Sequence, residues 1–169
     1  MGTPFQTEGK LEVKAIAYDP ASGKTSPVGQ EKFDICRKDW KIFGISDEKA
    51  YAVLDGNTST TWHQSRDKIM PIDLVIDLGS EQNLCGFRYF PDQGMWGPDI
   101  ITNYKFYVSM DNKKWKLVSD GEFSNIKNNP LWQIKKFAAI KSRYIRLQAL
   151  SNTEGNNETG YSEVDVITD

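Results

Sequence analysis

The chain has 169 residues, 38% of them hydrophobic, with a net charge of −2 and a pI of about 5.5. That length supports one domain, or one domain plus a fragment of another, with a real hydrophobic core and no need of a disulfide framework. The acidic balance and the lack of a basic stripe exclude a general nucleic-acid binder, and no apolar run approaches the roughly 20 residues that a membrane-spanning helix needs.

In chain order, Met1-Gly2-Thr3-Pro4 lacks the apolar stretch of a secretory signal. Leu11 to Tyr18 alternates apolar and polar residues with the period of a half-buried strand. Asp19 to Thr25 is turn chemistry, and Glu31 to Ile35 resumes as a strand, so residues 9–35 read as a β-hairpin. A two-stranded hairpin is marginal alone, so residues 1–35 are expected to be the tail of a preceding β-sandwich domain or a linker. Residues 36–169 are expected to form the main domain.

From Cys36 onward the pattern is a series of short strands. Ile72–Leu78 is closed by Gly79-Ser80, Leu84–Phe90 is stopped by Pro91, and Asn103–Ser109 turns at Asp111-Asn112. Trp115–Val118 ends at Asp120-Gly121. Trp132–Phe137, Tyr144–Leu150 and Val164–Ile167 follow. Only Asp47–Leu54 suggests a helical turn. Many short strands with regular turn signals predict an all-β sandwich or barrel. The two cysteines, Cys36 and Cys85, read as free buried thiols.

Asp55-Gly56-Asn57-Thr58-Ser59-Thr60-Thr61-Trp62-His63 is the most informative stretch. Gly56 accepts positive φ, while Asp55 and Asn57 bond their own backbone. Asp55, Asn57 and Thr60 can aim oxygens at one point, which suits a hard cation such as Ca²⁺; the same residues also make an ordinary polar loop. Trp62 is expected in the core. His63, the only histidine, can bond a hydroxyl through either ring nitrogen while neutral.

These segments occur in an order that resembles a discoidin domain. The signatures are Trp40, Asp55-Gly56-Asn57, Thr60, Trp62-His63, Ile76-Asp77-Leu78-Gly79, Gly86-Phe87-Arg88-Tyr89 with Pro91, Tyr104 to Ser109, Trp115, Arg143 to Leu147 and Ser162-Glu163-Val164. Discoidin domains, of the coagulation factor V/VIII type C kind, share their galactose-binding-domain-like jelly-roll β-sandwich with family 32 carbohydrate-binding modules. Residues 9–35 are similar to the last hairpin of the immunoglobulin-like domain in bacterial chitobiase- and fucosidase-like glycoside hydrolases. The resemblance thus implies a non-catalytic accessory domain of a glycosidase, located outside the cell, in the periplasm or on the bacterial surface.

The resemblance also implies site residues. A structural Ca²⁺ would be held by Asp55, Asn57, Thr60 and Glu163. Galactose-type sugars would meet His63 and the face of Tyr161. The family's arginine after Tyr89-Phe90-Pro91 is here Asp92, its loop aromatic is Arg66, and Met95-Trp96-Gly97 occupies the loop where an asparagine is expected. Asp92 can accept sugar hydroxyls, Arg66 can donate, and Trp96 offers a stacking face, a mix that suits a sugar site. Expected ligands are glycans ending in galactose, N-acetylhexosamine or fucose.

One histidine cannot furnish a catalytic zinc site, and no Gly-x-Ser-x-Gly elbow or phosphate-binding glycine loop occurs. Paired carboxylates stay open among the 23 acidic residues, whose separation a sequence does not show. It is the resemblance, to a binding module without activity of its own, that implies that the chain is not an enzyme. The alternative is a degenerate discoidin domain with a structural or protein-interaction role. A membrane-surface binder ranks last, because the tip Gln64 to Met70 is mixed in character, and membrane lipid is not an expected partner.

Overall fold

Alternating apolar residues set the strands of this protein, and glycine and Asx chemistry set where they bend. The computed structural model describes residues 10–64, 67–94 and 99–169. The chain divides into two units, Met1–Lys38 and Asp39–Asp169.

The first unit contains the expected hairpin. β1 (Leu11–Ala15) pairs antiparallel with β4 (Gly29–Phe33), and β2 (Tyr18–Asp19) with β3 (Lys24–Thr25). Asp19 closes the turn by accepting the Ala21 amide at 3.0 Å, and Gly23 takes φ 68°.

The second unit runs β5 (Lys41–Phe43), a 3-10 helix (Glu48–Leu54), β6 (Trp62–Gln64), β7 (Ile72–Phe90), β8 (Asn103–Ser109), β9 (Lys116–Glu122), β10 (Gln133–Ala149), β11 (Thr159–Tyr161) and β12 (Glu163–Thr168). The main sheet is ordered β12-β7-β10-β8-β9, with β5 also on β7. β11 pairs separately with β6.

Two elements differ from the sequence expectation. Ile72–Leu78 and Leu84–Phe90 are not separate strands but the two halves of β7, and Trp132–Phe137 and Tyr144–Leu150 merge into β10. Gly79, at φ 77°, bends the strand rather than ending it. β10 follows the same course through register irregularities between Lys136 and Ile140 and between Ser142 and Tyr144. Such bulges bend a strand and increase its twist.

The bends let each long strand serve two layers. The first half of β7 and the second half of β10 lie with β5, β8 and β9, and the second half of β7 lies with β12 and the first half of β10. Phe87, from that second half, stacks on Phe106 of β8 with ring centroids 4.0 Å apart and planes 1° apart. The layers therefore face each other as a β-sandwich. Ile72, Leu74, Ile76 and Leu78 bury alternate positions of β7, and Ile145, Leu147 and Ala149 do so on β10, as period-2 patterning requires. Both cysteines are free, but Cys36 is exposed and Cys85 only half-buried, so neither is the buried thiol expected.

Candidate functional site

The site is built where β6 and β11 pair, with His63 opposite Gly160. Trp62, before it, points inward. Its indole Nε1 donates to Asp47 Oδ2 at 2.9 Å, and Asp47 also caps the 3-10 helix by accepting the Lys49 amide. Those two hydrogen bonds, the Trp62 one foremost, hold the Asp47 carboxyl below its ordinary value. Alternation along β6 then turns His63 outward, its side chain 47% exposed.

Two carboxylates flank the imidazole. Asp99, 2% exposed, bonds Nδ1 through its Oδ2. Asp92 Oδ2 lies 3.5 Å from Nε2, and its other oxygen accepts the Gly94 amide at 2.8 Å. The hydrogen bond to Asp99 raises the His63 pKa, burial opposes it, and the charges of Asp99, Asp92 and Glu158 add to the rise. Ligand atoms of His63, Asp92 and Asp99 lie within 4.8 Å of one another. Asp99 occupies Nδ1, however, so Nε2 and Asp92 are what face a ligand, fewer protein donors than a closed metal site takes. A ring nitrogen beside a carboxylate oxygen suits a polyol, which presents donors and acceptors together.

The remaining expected residues are placed as follows. Tyr161 corrects the expectation. Its ring is fully buried, stacked on Trp62 at 5.8 Å and edge-on to Tyr89 at 6.0 Å. It presents no face to a sugar and instead supports the strand that carries His63. Arg66 and Trp96 lie outside the described residues. Ile69 is 79% exposed, but exposed Asp67 and Lys68 precede it and Met70 after it is half-buried. One apolar side chain beside two charges is not the apolar cluster a bilayer interface takes.

The Asp55 loop closes on itself. Asp55 Oδ1 accepts the Asn57 amide at 2.8 Å, and Asn57 Oδ1 accepts the Ser59 amide at 3.0 Å. Thr60 Oγ1 lies 2.8 Å from Asp55 Oδ2 and 2.7 Å from the Asn57 carbonyl oxygen, and its one proton serves either. Glu163 opens β12 and is buried. Carboxylate, carbonyl and hydroxyl oxygens are the donor set of a hard cation.

Asp99 is the site residue that sequence reasoning missed. The Gly97-Pro98-Asp99 run signals a turn, but nothing local says that its carboxylate will meet a ring 36 residues away.

The family described as F5/8 type C domain matches residues 42–164. A sialidase of Micromonospora viridifaciens is 29% identical over 172 residues, covering 97% of this chain and 26% of the sialidase. The chain thus spans about a quarter of that relative's length. In fold it is similar to a Clostridium perfringens module, CpGH89CBM32-5, solved in complex with GalNAc-β-1,3-galactose. The TM-score is 0.66 at 21% identity, covering 78% of this chain and 97% of that one. It is also similar to the C-terminal domain of a chitobiase from Bacteroides fragilis, with a TM-score of 0.65 at 20% identity, covering 79% of this chain and 95% of that one. The galactose-binding-like jelly-roll sandwich is therefore the fold of this chain.

Proposed function

Because the chain belongs to the F5/8 type C domain family, we propose that it is a non-catalytic carbohydrate-binding module, with its site in the loops around His63 and Asp92. The observation that carries this reading is an exposed imidazole held from behind by the buried Asp99 and flanked in front by Asp92. Nε2 and the Asp92 oxygens meet a pair of neighbouring sugar hydroxyls. Both carboxylates are engaged around one ring, so they do not form the separated acid and base of glycoside hydrolysis.

In this reading the chain is the accessory domain of a bacterial glycoside hydrolase acting outside the cell, in the periplasm or at the surface. Tethering raises the effective concentration of enzyme at the glycan without new catalytic contacts. The glycans end in galactose, N-acetylhexosamine or fucose; the GalNAc-β-1,3-galactose complex of the similar C. perfringens module supports the first two of these. Residues 1–35 serve as the terminal hairpin of a preceding β-sandwich domain or as a linker. Asp55, Asn57, Thr60 and Glu163 hold a structural Ca²⁺, which would tie the loop before β6 to the start of β12. A degenerate domain with a structural or protein-interaction role is the competing reading.

A glycan array probed with the purified chain in Ca²⁺, beside His63→Ala, tests the proposal. Losing a hydrogen-bonding side chain is expected to weaken binding about tenfold or more. If no glycan binds the wild type while circular dichroism shows an intact β fold, the module is a structural one.

A further inference from the structure

We propose that Asp99 is a positioning residue of the glycan site: buried behind the ring, it takes Nδ1 of His63 and so sets Nε2, beside Asp92, as the nitrogen that reads the sugar. This inference rests on the carbohydrate-binding reading and adds a residue to it.

The argument starts from how Asp99 is anchored. Its backbone oxygen accepts the Gly160 amide at 3.0 Å. Gly160 is the ladder partner of His63, and the Asp99 carboxylate returns to His63 Nδ1. The three residues close a ring of contacts, so the orientation of the imidazole follows from the sheet. Tyr89 stiffens it from below, donating its hydroxyl to the Gly160 carbonyl at 2.7 Å and receiving the Ile101 amide at 3.4 Å.

Gly160 makes the arrangement possible. A Cβ there would lie 2.7 Å from Asp99 Oδ1 and 2.9 Å from Oδ2. Any larger residue would push the carboxylate off its place. The glycine thus keeps open the space in which a charged group is buried next to a ring that faces solvent.

The chemical consequence is a defined role for Nε2. A carboxylate only accepts, so Nδ1 must carry its proton. In the neutral ring Nε2 is then an acceptor for a sugar hydroxyl; in the protonated ring it is a donor to a sugar oxygen. Without Asp99 either tautomer is available, and the ring can turn. The groups that face His63 are Asp99 from the segment before β8, Asp92 from the segment after β7, and Glu158 ahead of β11. All three are acidic and favour the protonated ring, the direct bond from Asp99 most.

The single histidine makes this testable without ambiguity. Ring ¹⁵N and Hε1 signals of the untagged chain report tautomer and protonation of His63 alone. They would be followed across pH in the wild type, Asp99→Asn and Gly160→Ala, without ligand, and dissociation constants for an array-identified glycan would be measured over the same range. In the wild type the expected result is a proton fixed on Nδ1 in the neutral form. In Asp99→Asn the expected result is a lowered His63 pKa, a mixed tautomer population and affinity reduced about two- to tenfold at neutral pH, with the pH profile of binding displaced in step. Gly160→Ala should move both readouts in the same direction while keeping the charge, and it stands in if Asp99→Asn does not fold. Unchanged ring signals in the folded variants would overturn the proposal, as would changed signals with an unchanged binding profile. A wild type whose ring behaves as described but which binds no glycan would overturn the glycan role instead and leave the ring geometry standing.

Discussion

His63 stands out at the level of single residues because acidic groups surround a half-exposed ring. Its pKa is raised from 6.5, first by the hydrogen bond that it donates to Asp99. A raised basic group stabilises the fold fully below its unfolded value and loses that contribution as pH rises through its folded value. The stability difference between wild type and His63→Gln in urea titrations should therefore be largest below about pH 6 and shrink as pH climbs past about 6.5. A difference that grows with pH would mean that the ring is held neutral. Tyr161 teaches the opposite lesson about residues. Its position next to Ser162-Glu163 suggested a ligand, but a ring next to a strand core is drawn inward when a partner such as Trp62 is there to cover it.

At the level of elements, the long bent strands decide how the layers meet. Gly86 sits in β7 where the backbone of β10 comes close: a Cβ there would lie 2.6 Å from the Lys135 carbonyl oxygen and 3.1 Å from Ile167 Cδ1. Gly86→Ala is expected to cost about 1–3 kcal/mol, as an overpacked site does, read as a lower urea midpoint with unchanged slope. An unchanged midpoint would show that the β7–β10 spacing gives way freely. Asn103–Ser109 was legible to the residue, since its alternation is bounded by Asp111, whose Oδ1 accepts the Lys113 and Lys114 amides. The joins within β7 and β10 were not. A glycine at positive φ looks the same in sequence whether it ends a strand or bends one.

For the whole molecule, the sandwich rests on an aromatic cluster, with Phe87 against Phe106 and Tyr104 against Phe123 at 4.3 Å. If Ca²⁺ joins the Asp55 loop to Glu163, chelation should lower the melting temperature and added Ca²⁺ should restore it. The gain is about 2.7 kcal/mol when free Ca²⁺ is a hundred times its Kd. Asp55→Ala should lack that response; a wild type equally stable in chelator and in Ca²⁺ would remove the ion from the account. Fold class, most strand positions and the turn at Asp55-Gly56-Asn57 were written locally, in period-2 alternation and turn chemistry, because those forces act between near neighbours. The pairing of His63 with Asp99, the burial of Tyr161 and the sharing of β7 between layers belong to the tertiary structure, because each depends on which distant groups the folded sheet brings within hydrogen-bonding or van der Waals reach.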